Sequence, residues 1–324
     1  MTGIFRANNP SGNAILFLYA IVLKLPIFLH ARPPLQSASD GVLYKGFLEI
    51  VGPFAKNFPF VLPLLCFILL FTQAIHFNKI VNGLKLHRHS NHLTGMSFLL
   101  ITSLLPDMFS LSAPLIVNSF IIWIWGRLCA LYNNPSPKAA VFNIGLAIGI
   151  AGFIFFPSVA FLLLVMFGIA IARPFRLQEW ITGLAGILTP IYFFAAWLYL
   201  TGKTAVFPMT GFPFSYPRIQ GNGLFITGGV LVVIGLLTGA YFVQANMRRQ
   251  VVQTRKNWQS LFFYVFIAFF VVLISGDSRL AALLLPAIPL SAVMAAAFFY
   301  PQKKIIPVLL HWSLVAVYVA INFF

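Results

Sequence analysis

The chain has 324 residues, 60% of them hydrophobic and 8% charged, and carries a net charge of +16. A soluble domain has roughly 25% charged residues; no single core could hide this much apolar side chain from water, so the composition excludes a soluble globular protein and makes lipid the solvent. The positive charge does not point to nucleic acid, because the basic residues lie scattered in short loops and no nucleic-acid-binding module accompanies them.

The apolar runs are long and continuous rather than alternating, which predicts helices and not a barrel. The expected fold class is all-α polytopic transmembrane, with residues 1–324 as one transmembrane domain. Against a span of about 20 residues, the runs divide into eleven helices: 13–31, 58–77, 95–112, 115–132, 138–152, 155–172, 180–201, 222–246, 259–275, 280–298 and 304–323. The pairs meeting around Pro106 to Pro114 and around Phe155 to Pro157 also read as single broken segments, which gives a range of 9–11.

Charge sets the expected orientation. With the N-terminus cytoplasmic and the C-terminus outside, fourteen basic residues face the cytoplasm: Arg6, Lys79, Lys85, Arg88, Arg127, Lys138, Arg173, Arg176, Arg248, Arg249, Arg255, Lys256, Lys303 and Lys304. Six face outward: Arg32, Lys45, Lys56, Lys203, Arg218 and Arg279. Such a protein belongs in a bacterial cytoplasmic (inner) membrane, in contact with anionic lipid. Lys24 falls inside the first span and is expected to snorkel towards an interface. Cys66 and Cys129 lie in apolar runs and read as small buried side chains.

Two outer loops are long. Residues 32–57 carry apolar residues at Val42, Leu43, Phe47, Ile50 and Val51, with Lys45 and Glu49 on another side. This is helical periodicity, and it predicts an amphipathic helix lying in the interface, capped at its start by Ser39 or Asp40. Residues 202–221, rich in Pro, Gly and aromatics, predict an ordered coil at headgroup level.

Four of the five acids, Asp40, Glu49, Asp107 and Asp277, fall on the outer side; Glu179 falls inside. Asp40 has two readings, a carboxylate at the mouth of a membrane cavity acting as base or metal ligand, or a helix cap held by the macrodipole. Asp277 and Arg279 share a short turn ahead of Pro286 and Pro289. Arg279 either grips a phosphate bidentately or pairs with Asp277 to close the turn. His87, His89 and His92 have the spacing H-x-H-x-x-H, which is not a zinc motif, and read as a solvated basic face. Arg173 and Arg176, followed by Glu179 and Trp180, read as a basic loop with an interfacial anchor or as a docking point.

The order of these features resembles the GT-C superfamily of membrane glycosyltransferases. An acidic residue opens an interfacial helix in the first outer loop, as DGVLYKGF, and a late helix carries Arg279, Leu284, Leu285, Pro286 and Pro289. The sequence departs from that pattern at Gly41, where a second acid is common in the superfamily. The chain is also similar to an uncharacterised bacterial family of inner-membrane proteins of this length. The GT-C resemblance implies sugar transfer from a polyprenyl-phosphate donor to an acceptor on the outer face. It makes Asp40 the catalytic base and gives the donor phosphate to Arg279, helped by Arg218 or Lys203. Asp107, Asp277 and Tyr44 would support the acceptor or a divalent cation, Mg or Mn. Two other readings stand beside it: a non-catalytic GT-C-like scaffold or subunit of a membrane complex, and a transporter of lipids or small molecules.

Overall fold

The computed structural model describes residues 2–7, 11–202, 223–276, 280–303 and 305–323. Thirteen α-helices lie among them: α1 (Thr2–Arg6), α2 (Gly12–Leu29), α3 (Val42–Asn57), α4 (Val61–Gly83), α5 (Leu93–Ile101), α6 (Ala113–Ala130), α7 (Lys138–Ile154), α8 (Leu162–Ala172), α9 (Leu177–Leu200), α10 (Gly223–Met247), α11 (Val252–Ile274), α12 (Leu284–Phe299) and α13 (Ile305–Phe323). Eight helical segments are long and apolar enough to cross a membrane, and Lys138–Ile154 and Phe156–Ala172 are shorter apolar helices. The protein is an all-α polytopic membrane protein. Cys66 and Cys129 are buried free thiols, as expected.

The centre of the bundle is α5 and α12. Every residue of α5 is buried, and in α12 only Leu290 is not. The peripheral helices α9 and α10 expose most of their length, as lipid-facing helices do. They dock through glycines. A Cβ on Gly145 would lie 2.2 Å from the carbonyl oxygen of Gly183, one on Gly186 2.3 Å from that of Phe142, and one on Gly239 2.1 Å from that of Val293. Hydrophobicity cannot drive helix association in lipid, so close backbone approach at small residues supplies the packing. At its start α9 is held by the ion pair of Arg173 and Glu179, 3.4 Å apart.

The expected span 95–112 is broken. Helix α5 ends at Ile101, a 3₁₀ turn covers Pro106–Phe109, and α6 begins only at Ala113. Pro106 has no N–H to continue a helix and disfavours helical backbone at Leu105. The hydroxyls of Thr102 and Ser103 also turn back onto the carbonyls of Phe98 and Leu99. Nine residues rise only about 13 Å, so residues 102–112 run as irregular backbone inside the bundle. Such backbone survives at membrane depth only if protein groups satisfy it. Here side chains from four other elements reach the segment, three of them at backbone carbonyls. Lys24 Nζ donates to Thr102 Oγ1 at 2.9 Å, Asn322 Nδ2 to the Ser103 carbonyl at 3.3 Å, Cys66 Sγ to the Phe109 carbonyl at 3.4 Å, and Tyr44 Oη to the Leu111 carbonyl at 3.1 Å.

This corrects the reading of Lys24. It does not snorkel: it is fully buried, with its ammonium 5.0 Å over the Phe109 ring centre. The polar partner at its own depth, created by the break, removes the need to reach the interface. The cap of α3 is also different from expectation. The N-cap is Gly41, with no side-chain cap bond. Otherwise α3 is the amphipathic helix expected, with Leu43, Ile50 and Phe54 exposed on one side and Tyr44 buried on another.

Candidate functional site

The site is built where the 31–41 segment is sewn onto three other turns. Leu35 N–H donates to the Leu111 carbonyl at 2.8 Å, Gly41 N–H to Ile154 at 2.9 Å, and Phe156 N–H to Ser39 at 3.0 Å. The last two frame an isolated antiparallel bridge between Asp40 and Phe155. The Ser39 hydroxyl donates to the carbonyl of Ser275, at the end of α11. Gly41 is required by this seam, because a Cβ there would lie 2.0 Å from the Phe153 carbonyl oxygen.

Asp40 is therefore held in the wall of the bundle and not at a loop tip. It is 3% exposed, and its Oδ2 accepts the Ser37 N–H at 2.7 Å. It stands at one end of a groove of about 340 Å³ between α3, α7 and α9. The groove is apolar along Ile148, Phe153, Ile187, Ile191 and Phe194, and polar only where Asp40 and Lys45 meet it. Gly149 and Gly152 of α7 line it, and each is closely packed: a Cβ would lie 2.6 Å from the Pro190 ring at Gly149 and 2.7 Å from the Val159 side chain at Gly152.

Asp107 lies in the Pro106–Phe109 turn, where its Oδ2 accepts the Leu280 N–H at 3.1 Å. Beneath that turn a second groove, of about 220 Å³, is lined only by apolar residues and glycine, among them Leu105, Met108, Phe225, Leu280, Pro286 and Leu290. Ser39 and Asp107 thus hold Ser275 and Leu280, which flank residues 277–279 in the sequence. Asp277 and Arg279 lie outside the described residues, as do Lys203 and Arg218. Tyr44 is committed to structure: its buried hydroxyl lies 2.9 Å from the Leu35 carbonyl and 3.1 Å from that of Leu111, clamping two loops together. Among the described residues no three His, Cys, Asp or Glu side chains gather closely enough to hold a metal ion.

At the other end of α4 the three histidines separate. His89 is exposed. His92 packs so tightly on α2 that a Cβ on Gly12 would meet its ring at 2.2 Å. His87 is 4% exposed, with Trp258, Phe299 and Tyr300 around it at ring distances of 6.0, 5.5 and 6.3 Å. The reading of one solvated basic face fails for His87, because α11 and the end of α12 close over it.

Reading the sequence missed Lys45 as a groove residue and missed both grooves. The glycines of α7 were the available signal: Gly145, Gly149 and Gly152 share a helix with few large side chains between them.

The fold and this site define a polytopic α-helical membrane protein with two largely apolar grooves, one of them bordered by Asp40 and Lys45. The chain matches the model of the family of unknown function DUF6427 over residues 43–324, and belongs to that family. No curated protein and no solved structure matches it.

Proposed function

We propose that the protein is a GT-C-like glycosyltransferase of the bacterial cytoplasmic membrane, moving a sugar from a polyprenyl-phosphate donor to an acceptor on the outer face. The observation that carries this reading is a buried carboxylate, Asp40, at the polar end of an apolar groove. A lipid-linked substrate needs that combination: a chain slot reached from the bilayer and a base where its head arrives. Asp40 deprotonates the acceptor hydroxyl. Lys45, beside it on the groove rim, offsets charge on the phosphate. Arg279, Arg218 and Lys203 hold the donor phosphate. Asp107 and Asp277 orient the acceptor or a divalent cation. In this reading the chain crosses the membrane eleven times with its N-terminus inside. The basic loops after α4, α6, α8 and α10 then meet the cytoplasm.

The test replaces Asp40 with Asn. Membrane level and thermal stability are checked first, and outer-face glycans and polyprenyl-linked sugars are then compared with wild type and a deletion strain. The proposal expects a folded variant with the deletion phenotype, donor accumulating and acceptor unglycosylated. A wild-type glycan profile from a folded variant overturns it.

One observation favours a second reading. The Asp40 carboxylate accepts the Ser37 N–H and the Tyr44 hydroxyl is committed to backbone, as in a scaffold that keeps the geometry without the chemistry. In that reading the grooves hold membrane lipid, and the protein serves as a subunit of a membrane complex.

A further inference from the structure

The basic loop between α4 and α5 is far more ordered than a loop whose task is only to stay on one side of the membrane. Its backbone is cross-braced by asparagines. Asn78 Nδ2 and Asn82 Nδ2 donate to the Asn91 carbonyl at 3.0 and 2.8 Å, and Asn91 N–H returns to Asn82 Oδ1 at 3.2 Å. Asn91 Nδ2 donates to the His89 carbonyl at 2.9 Å. Trp258 Nε1 of α11 reaches the Leu86 carbonyl at 3.2 Å, and Gln250 Nε2, from the connection between α10 and α11, reaches the same oxygen at 3.3 Å. The chain leaves α4 through Lys85 at φ 53°. This is the left-handed region, where Gly or Asn is at ease and a lysine is not.

The braced loop surrounds an open pocket of about 550 Å³ lined by Asn82, Lys85, His87, Arg88, His89 and Ser90. No carboxylate lines it. Lys85, Arg88 and His89 are exposed, and Arg6 stands nearby, its guanidinium 5.6 Å over the Phe299 ring that also packs on His87 and His89. The decisive feature is His87. Both of its ring nitrogens are buried, and neither has a hydrogen-bond partner among the described residues. Buried polar atoms are ordinarily satisfied, and an orphan at a pocket wall indicates a missing partner.

We infer that the loop 84–92 is a preorganised binding site for a phosphate group, held between Lys85, Arg88 and the imidazole of His87. Guanidinium, ammonium and imidazole donors arriving from different directions suit a tetrahedral oxyanion with several acceptor oxygens. The cross-bracing removes most of the ordering cost that a loose loop would incur on binding. The same chemistry serves a lipid headgroup phosphate and a soluble phosphoester, and the site lies at the opposite end of α4 from Asp40, independent of the transferase reading.

The experiment uses the full-length protein in neutral detergent and in phosphatidylcholine nanodiscs. Thermal unfolding is followed with sodium pyrophosphate against sodium chloride at matched ionic strength, and in nanodiscs with and without phosphatidylglycerol. The expected result is a rise in Tm with one of these probes. Arg88→Gln and Lys85→Asn should each weaken the apparent affinity by about tenfold, the worth of one charge-assisted hydrogen bond. Asn is chosen at position 85 because it tolerates positive φ; both side chains are exposed, so the ligand-free Tm should hold. Arg248→Gln, a charge removed elsewhere on the same end, should leave the response unchanged. A response to pyrophosphate assigns a soluble phosphoester; a response to phosphatidylglycerol alone assigns a lipid headgroup. No rise with either probe overturns the inference. So does a rise that Arg248→Gln reduces as much as Arg88→Gln does, which would be diffuse surface charge.

Discussion

The hydroxyl of Ser39 donates to the backbone carbonyl of Ser275 across 236 residues of chain. This bond ties the residue before Asp40 to the end of α11, shortly ahead of Asp277 and Arg279 in the sequence. Ser39 is 2% exposed, so Ser39→Ala leaves a buried carbonyl without this donor and should cost about 1 kcal/mol. Unfolding of the purified variant in detergent reads that loss. In the transferase reading it also lowers sugar transfer, because Asp40 and the phosphate-binding turn drift apart.

Gly41→Ala should be more damaging. Its Cβ would arrive 2.0 Å from the Phe153 carbonyl oxygen, and neither backbone can yield without breaking the bridge between Asp40 and Phe155. A loss of about 3 kcal/mol is expected, at the upper end of overpacking costs. An unchanged Tm would mean that the seam between the first loop and α7 is not as close as described.

Lys24 and Thr102 separate structure from charge. Lys24→Met removes a desolvated ammonium while keeping its volume, so stability should stay level or rise by about 1 kcal/mol. Thr102→Val leaves the ammonium buried without the hydroxyl, and should cost about 2 kcal/mol. Paired melting curves of the two variants, with opposite signs, are the readout. A strong loss from Lys24→Met would show that the charge itself holds the broken segment.

His87 makes stability depend on pH. Burial pushes its pKa down from 6.5 to about 4, and the groups lining the same pocket are basic: Lys85, Arg88 and His89. The aromatic neighbours Trp258 of α11 and Phe299 and Tyr300 add no charge of their own at this pH. The unfolded imidazole takes a proton first as pH falls. Stability is therefore full above about pH 6.5 and declines as pH drops towards 4. His87→Phe should make that acid slope shallower. Without phosphate it should also raise Tm, since two buried unsatisfied nitrogens are gone. Tm measured from pH 4 to 8 in both proteins decides it.

Gly186→Ala tests the docking of α9. Its Cβ would stand 2.3 Å from the Phe142 carbonyl oxygen, so α9 must lift from α7 and the groove beside Asp40 must change shape. The expected cost is about 2 kcal/mol, with the groove residues Ile187 and Ile191 displaced. Cross-linking of cysteines placed on α7 and α9 would report the separation.

Membership of the membrane class, the helical character and the amphipathic helix at residues 42–57 were legible in the sequence because they follow from local composition and period. Apolar runs of span length leave no other way to satisfy the backbone in lipid. The spacing of Leu43, Ile50 and Phe54 places them on one side of a helix whatever it packs against. Tertiary structure alone decided where helices break and what meets them. The gap after Ile101 makes Lys24 a buried donor and Tyr44 a clamp, and both roles depend on chain 60 or more residues away in sequence. Asp40 shows the same division. Its position ahead of α3 was visible locally, but its burial follows from the bonds that Ile154, Phe156 and Ser275 make to the flanking Ser39 and Gly41, which no periodicity encodes. His87 reads as one of three solvated imidazoles until Trp258 and Phe299 close over it. Local pattern fixes which residues can face lipid; which polar group is stranded or satisfied inside is set by long-range packing.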